Sequence, residues 1–148
     1  MRLLLDSHAL VWWLADDPSL SGPARAAIAD PDNDVHASAV TGYELTNKQR
    51  LGKLKPPLTE ELALMVCRAG LPVLAITLEH AIAAGSLPGP HRDPWDRLLM
   101  AQARLDGLTV VTKDPVFDDY GVPTLWGAHG RSRHPHARAW LENRIIIM

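Results

Sequence analysis

The hydrophobic pattern of the chain alternates short apolar runs with longer stretches that carry helix signals. The apolar runs "RLLLD", "LPVLAIT" and "LTVVTKD" predict strands, and "DVHAS" is a further short strand candidate. Helices are predicted between them, in "SHALVWWLA", "SGPARAAIAD", "AVTGYELTNKQRL", "TEELALMVCRAG", "LEHAIAAGSL" and "PWDRLLMAQARLDG". Strands that alternate with helices of this length predict a parallel sheet covered on both faces, which is an α/β sandwich.

The chain has 148 residues, which is enough for one domain with a sizeable core and too few for two ordinary domains. We assign the domain to residues 1–126. The remaining segment, 127–148, is "GAHGRSRHPHARAWLENRIIIM", and it shows no periodicity. We interpret it as a tail that is either disordered or a vector-encoded or out-of-frame extension, with no role in the fold.

Composition narrows the location and the partners. The chain is 47% hydrophobic with a formal net charge of −2, so any nucleic-acid binding has to be local. Cys67 is the single cysteine, which excludes a disulfide framework and suits a reducing cytosol. No run approaches the roughly 18 apolar residues of a membrane span, and "MRLLLDSH" becomes charged too early for a signal peptide. We expect a soluble, cytoplasmic protein.

Acidic residues stand where the predicted elements would bring them together. Asp6 ends the first strand and Asp114 follows the last strong strand, so both belong to the edge where parallel strands form a ligand crevice. Asp93 and Asp96 begin the helix that leads into that last strand, and their spacing places them on one helix face. Glu44 lies inside the helix after the second strand. Four distant segments are therefore predicted to direct carboxylates at one crevice.

The mutual repulsion of carboxylates in such a cluster has to be offset. Two unit charges about 4 Å apart repel by roughly 4 kcal/mol at an effective dielectric near 20, so a cation or protonation has to relieve the repulsion. The available ligands are carboxylate oxygens, with a hydroxyl from Ser7 or Thr112 as a further donor. This hard donor set favours Mg²⁺, with Mn²⁺ as a substitute, over zinc. A metal of this kind can activate water and polarise a phosphoryl oxygen.

Each acid also has a purely structural explanation. Asp93 before a proline is a typical helix N-cap, and Asp96 in the first turn suits the helix dipole. Asp6 could cap the helix that follows it, and Asp114 before a proline could form a turn. Glu44 could pair with the lysine four residues later. The joint pattern is more specific than any single member of it.

Basic residues near these acids are candidates for RNA phosphate contacts. Directly after the helix of Glu44 the basic residues are Lys48, Arg50, Lys53 and Lys55. They could hold phosphates beside a metal, or they could simply be a solvated helix end. Arg92 and Arg97 flank the aspartate pair, either as phosphate contacts or as local charge compensation.

The motifs "LLLDSHALVWWL", "ASAVTGYELTNKQRLGKL", "HRDPWDRLLMAQA" and "LTVVTKDPVFDDYGV" carry a family resemblance. The chain resembles PIN-domain proteins from residue 1 to about 126, and within them the VapC toxins of bacterial toxin–antitoxin pairs. The most specific motif is "HRDPWDRLLMAQA". The resemblance implies a five-stranded parallel sheet in a three-layer α/β/α sandwich and a Mg²⁺- or Mn²⁺-dependent endoribonuclease. It also implies a cognate antitoxin as inhibitor, and we expect a homodimer.

On that family pattern Asp6, Glu44, Asp96 and Asp114 match an acidic quartet, with Asp93 as an additional acid. The quartet would hold the metal that activates water for attack on an RNA phosphodiester, so no side chain need be the nucleophile. A hydroxyl, from Ser7 or Thr112, would position a ligand or that water.

Two other function classes compete with the nuclease. A Mg²⁺-dependent phosphoacceptor domain also gathers acids at strand ends, but it usually has an acid pair after its first strand, where this chain has Asp6 alone. A non-catalytic RNA-binding or protein-interaction module has no need of convergent acids. Metal-dependent cleavage that disappears when a quartet acid becomes asparagine discriminates the nuclease from both.

Overall fold

The computed structural model describes residues 1–55, 57–58 and 60–127, and within them it forms one sheet of five parallel strands. The strands are β1 (Arg2–Leu5), β2 (Asp34–Ser38), β3 (Val73–Leu74), β4 (Thr109–Val111) and β5 (Thr124–Leu125). Their order across the sheet is β3-β2-β1-β4-β5. The predicted parallel sheet is confirmed, and β1 occupies its centre.

Helices connect the strands and start and stop at the signals in the sequence. They are α1 (Ser7–Leu14), α2 (Gly22–Ala29), α3 (Ala39–Arg50), α4 (Leu62–Arg68), α5 (Leu78–Ser86), α6 (Pro94–Asp106) and α7 (Val116–Asp119). Ser21 caps α2 by accepting a hydrogen bond from the backbone N–H of Ala24. Gly107 ends α6 in the left-handed conformation at φ +68°, which glycine adopts without a steric penalty.

Two apolar cores lie on opposite faces of the sheet. Leu3 and Leu5 of β1 point to one face, where α1, α2 and α4 pack against them. Leu4, between them in the strand, points to the other face and packs with residues of α6 and with Phe117 of α7. Alternation along a strand that is buried on both sides produces this division. The three-layer α/β/α architecture is confirmed.

The sheet topology fixes where a ligand site can form. Chain order reverses beside β1, which has β2 on one side and β4 on the other. In open α/β sheets the crevice at such a switch point, beyond the carboxyl ends of the strands, is the usual ligand site. Leu5 is paired with Val111, so the next residues, Asp6 and Thr112, emerge side by side at this crevice.

Some element boundaries differ from the predicted ones. The predicted strand "LPVLAIT" contributes only Val73 and Leu74, because β3 is an edge strand and Thr77 already caps α5. The helix predicted from Thr59 to Gly70 is shorter, with Glu61 as its N-cap. The apolar pattern did not predict α7 or β5 as separate elements, since they are four and two residues long.

Residues 128–148, which make up nearly all of the predicted tail, lie outside the described residues. Across the part of the chain that is described, no helix is both long and apolar enough to cross a membrane.

Candidate active site at the carboxyl edge of the sheet

Asp6 is a buried acid at the end of the central strand. Its Oδ1 accepts a hydrogen bond of 2.7 Å from the backbone N–H of Ala9, so the predicted capping of α1 is present. Burial raises the pKa of Asp6, although hydrogen bonds from Thr112 and Ala9 act in the opposite direction. The nearby Glu44 carboxylate adds to this rise in pKa. Asp6 therefore caps α1 and also carries a carboxylate whose ionised form is disfavoured by burial.

Glu44 reaches the same edge from α3. That helix begins where β2 ends, and the hydroxyl of Ser38 caps it by accepting from the backbone N–H of Val40. Glu44 is only 5% exposed, and its Oε1 accepts a hydrogen bond of 2.8 Å from the Lys48 ammonium. The ion pair that the sequence left open is therefore formed.

Asp93 and Asp96 take different roles at the start of α6. Asp93 Oδ1 accepts from the backbone N–H groups of Trp95 and Asp96, at 2.9 and 3.3 Å, so it is the helix N-cap. Asp96 Oδ2 lies 2.9 Å from His91 Nε2. Burial raises the pKa of Asp96 to about 6, the hydrogen bond from His91 opposes the rise, and the charges of Asp93 and Asp114 add to it.

Asp114 stands in a turn after β4. Its Oδ1 accepts from the backbone N–H of Val116 at 3.0 Å, and its own N–H donates to the Thr112 hydroxyl at 3.0 Å. The turn predicted as the structural alternative is present, while the carboxylate remains within electrostatic reach of Asp96. Thr112 thereby links Asp6 to the Asp114 turn. Ser7, the other predicted hydroxyl, is 8% exposed in the first turn of α1.

Two of the predicted phosphate-contact residues bond to neighbouring side chains. Lys48 is paired with Glu44, and Arg50 donates to the Asn47 side chain at 2.6 Å. Lys53 and Arg92 are exposed. Their role as phosphate contacts stays a prediction.

Arg97 has a role that the sequence did not suggest. Its guanidinium donates to the carbonyl oxygens of Ala84 at 3.0 Å, of His91 at 2.9 Å and of Leu87. These bonds tie the segment before α6 to the helix, and the three guanidinium nitrogens are all engaged. The three bonds use three of the five guanidinium N–H donors, so Arg97 anchors this segment, and its predicted phosphate contact stays a prediction.

His91 is the site residue that sequence analysis undervalued. The sequence alone did not single it out, yet its ring contacts Asp96 directly, with Nε2 2.9 Å from Oδ2. The signal available in the sequence was its position five residues before Asp96 within "HRDPWD".

The site holds carboxylates whose charges are only partly balanced. Lys48 and His91 each contact one carboxylate, while the pKa values of Asp6 and Asp96 are raised by burial and by neighbouring acids. Among residues 1–55, 57–58 and 60–127, no three His, Cys, Asp or Glu side chains are arranged so that they could hold a metal ion. The donor set, which consists of carboxylate oxygens, fits a hard divalent cation in its chemistry. Assembly of three ligands would require side-chain movement.

The comparison with known proteins decides the family. The model of the PIN domain family matches residues 3–123. The chain belongs to the PIN-domain family. Ribonuclease VapC22 of Mycobacterium tuberculosis is 37% identical to it over 134 residues, which cover 84% of this chain and 98% of that protein.

Solved structures share the PIN fold. VapBC2 from Rickettsia felis, bound to a DNA fragment from its promoter, superposes with a TM-score of 0.66 at 18% identity, covering 86% of this chain and 100% of that chain. DNA-bound VapBC from Salmonella typhimurium gives a TM-score of 0.57 at 21% identity, covering 80% and 91%. At these identities the likeness establishes the fold alone.

The raised pKa of Asp96 predicts how the metal-free PIN domain responds to pH. An acid whose pKa is higher in the folded than in the unfolded state weakens folding above the folded value, and this penalty disappears as the pH falls through about 6 toward 4. In EDTA, Asp96→Asn should therefore raise the free energy of unfolding at pH 7.5 by about 2–3 kcal/mol. At pH 4.5 the gain should shrink to about 1 kcal/mol, since the penalty disappears fully only below the unfolded pKa. Urea denaturation at both pH values measures the difference, and a difference that does not change with pH contradicts the prediction.

The Lys48–Glu44 pair predicts a second stability effect. Lys48→Met leaves the buried Glu44 charge without its cation, and we expect a loss of about 1–2 kcal/mol in EDTA, less than for a fully buried pair because Lys48 is 36% exposed. The double variant Glu44→Gln/Lys48→Met should recover most of this stability. Thermal unfolding of both variants, with the exposed Lys53→Met as control, measures the effect. Equal destabilisation by Lys48→Met and Lys53→Met would show that the pair contributes nothing.

Proposed function

We propose that this PIN domain is a metal-dependent endoribonuclease that acts as the toxin of a toxin–antitoxin pair. The observation that carries the proposal is the presence of two coupled acid pairs, Asp6 with Glu44 and Asp96 with Asp114, beside the switch point at the carboxyl edge of the sheet. The 37% identity to a ribonuclease of the VapC type supports it. Acids at this density, with two raised pKa values, are suited to a site that works with a cation.

The proposed metal is Mg²⁺, with Mn²⁺ as a substitute, and its ligands would be the four acids of the quartet. Asp93 could add its Oδ2, because only its Oδ1 is used in capping α6. When bound, the metal supplies a polarised phosphoryl oxygen and a water of lowered pKa. The protein's own part is to hold the carboxylates in place: Thr112 orients Asp6 and the Asp114 turn.

The exposed basic residues Arg50, Lys53 and Arg92 are the proposed phosphate contacts. They would hold the RNA backbone beside an acidic centre that otherwise repels it. Lys48 belongs to this proposed group only if the metal replaces it at Glu44. Since each contact with a phosphate releases counterions, RNA affinity should fall steeply with salt.

The proposed partners are RNA as substrate, a cognate antitoxin as inhibitor, and a second copy of the chain. Solved relatives in this fold include a toxin–antitoxin complex from Klebsiella pneumoniae, which supports the antitoxin as a partner.

For the homodimer, the supporting feature is a run of exposed apolar side chains along β3 and α5. They are Val73, Ile76, Leu78 and Ile82. Light scattering tests the proposed homodimer. We expect wild type to be a dimer and Ile82→Glu to be a monomer. A monomeric wild type contradicts the proposed homodimer.

Mapping of RNA ends tests the proposed activity. The purified protein is incubated with total bacterial RNA in Mg²⁺, in Mn²⁺ and in EDTA, and new 5′ and 3′ ends are sequenced. We expect discrete ends that require metal. RNA that is bound but uncut under every condition would favour a non-catalytic module. Phosphorylation of an aspartate by a small phosphodonor, without any cleavage, would favour the phosphoacceptor alternative.

A further inference from the structure

A cavity of about 430 Å³ opens beside the acidic edge of the sheet. One wall is the loop 88–91 that precedes α6, and the other is formed by Val116, Asp119 and Tyr120 at α7. Its volume is within the range of roughly 300–1,000 Å³ that is usual for small-ligand sites. Neither the proposed metal site nor the proposed phosphate contacts use this cavity.

Two lining residues bond directly to the acids of the proposed site. His91 contacts the Asp96 carboxylate at 2.9 Å, and the backbone N–H of Val116 donates to Asp114 at 3.0 Å. A ligand in the cavity is therefore separated from Asp96 by His91 and from Asp114 by Val116. This position is suited to a part of the RNA that is adjacent to the phosphate being cut.

Flat rings form much of the cavity wall, and contacts between the lining residues fix their positions. The rings of His91 and Tyr120 meet edge to face with centroids 6.2 Å apart, and two prolines extend the loop wall. The Tyr120 hydroxyl accepts a hydrogen bond of 2.9 Å from the His91 backbone N–H. Gly89 has φ +115°, and a Cβ at this position would come within 2.5 Å of the Tyr120 hydroxyl oxygen. Glycine is therefore required where the loop closes over the tyrosine.

We propose that this cavity binds one unpaired base of the RNA, next to the scissile phosphate. The inference rests on the proposed ribonuclease activity and adds a specificity site to it. Proteins bind single-stranded bases by stacking them on aromatic rings and by hydrogen bonding to their exposed edges. Tyr120 and His91 provide the rings, and the exposed Asp119 provides a carboxylate at the cavity wall.

The carboxylate of Asp119 sets the preferred base. Among the four bases, guanine presents two adjacent N–H donors, at N1 and N2, and a carboxylate can accept both in parallel. Uracil has no exocyclic amino group, so it cannot form this pair of bonds. The cavity should therefore prefer guanine.

The cleavage test uses short RNAs that carry a single cut site and differ only in the base beside it. For wild type, replacing that guanosine with an abasic unit should lower kcat/KM by about 10-fold, the scale expected for the loss of one stacked base. Tyr120→Ala should lower kcat/KM on the intact RNA similarly and show no further loss with the abasic RNA. Tyr120→Phe should keep the abasic effect. Tyr43→Ala, which removes an exposed tyrosine outside the cavity, should leave the abasic effect unchanged.

The guanine preference has its own readout. Inosine lacks the N2 amino group, so wild type should cut the inosine RNA more slowly than the guanosine RNA. Asp119→Ala, which removes both acceptor oxygens, should cut both at the same rate. An inosine effect of equal size in wild type and Asp119→Ala would overturn the assigned role of Asp119.

A binding measurement separates failure of the cavity from failure of the nuclease. Guanosine, which is uncharged, is added to wild type in EDTA, and saturation-transfer NMR records contacts at its base proton. We expect saturation of that proton in wild type and Tyr120→Phe and its loss in Tyr120→Ala. Cleavage of RNA without guanosine binding and without an abasic effect overturns the base site and leaves the nuclease standing. Guanosine binding without cleavage of any RNA overturns the nuclease instead.

Discussion

Asp96→Asn is expected to abolish metal-dependent RNA cleavage. The substitution keeps the side-chain volume and an acceptor for His91, but it removes a negative charge from the centre of the acidic group. We expect kcat/KM to fall at least about 10²–10³-fold, the order of loss seen when one charge-stabilising group is removed from an active site. Cleavage of a mapped RNA site in Mg²⁺ measures the effect.

The control for Asp96→Asn is Asp32→Asn, an exposed acid two residues before β2 at the opposite edge of the sheet. It should cleave like wild type. Folding is not at risk, since the pKa of Asp96 predicts that its neutral replacement stabilises the metal-free protein at neutral pH. If the folded variant retains more than a tenth of wild-type activity, Asp96 is not part of the active site.

Arg97→Ala is expected to destabilise the protein strongly. Removal of the guanidinium leaves the carbonyl groups of Ala84, Leu87 and His91 without their donor. Hydrogen bonds from charged groups contribute about 1.5–3 kcal/mol each and are not additive, so we expect a total loss of about 3–4 kcal/mol. Urea denaturation measures it.

Arg97→Lys distinguishes an anchor from a phosphate contact. An ammonium is a point charge and cannot reproduce a planar fork that reaches three carbonyls, so Arg97→Lys should recover little stability. If Arg97 instead bound phosphate, both variants would be as stable as wild type, and only RNA affinity and its salt dependence would change. That second result would contradict the anchor.

Much of the architecture could be predicted because it depends on local signals. Apolar runs defined β1 and β4, a short segment of alternating polar and apolar residues indicated β2, and a proline after Asp93 together with Gly107 defined both ends of α6. The two-residue strands β3 and β5 could not be delimited in this way. The run "LPVLAIT" is apolar throughout, yet only Val73 and Leu74 pair with β2 and Val73 is 58% exposed, so apolarity alone did not show where this edge strand ends.

The acids were predictable for the same reason, since each stands next to a recognisable strand or helix end. The contacts of the basic residues were predictable only where they depend on local spacing. Lys48 lies four residues after Glu44, so that pair could be foreseen. The contacts of Arg97 depend on the path of the chain from Ala84 to His91, which no local pattern specifies. The purely structural roles foreseen for Asp6, Asp93 and Asp114 are present and do not conflict with the proposed metal site.

Anomalous diffraction from crystals soaked in Mn²⁺ locates the proposed metal directly. We expect a peak among the carboxylates of Asp6, Glu44, Asp96 and Asp114, with Lys48 or His91 displaced from its present carboxylate oxygen. The same soak of Asp96→Asn crystals should show a weaker peak or none. Absence of a peak at this edge in wild type, at Mn²⁺ concentrations that support cleavage, would show that these acids do not hold the catalytic metal.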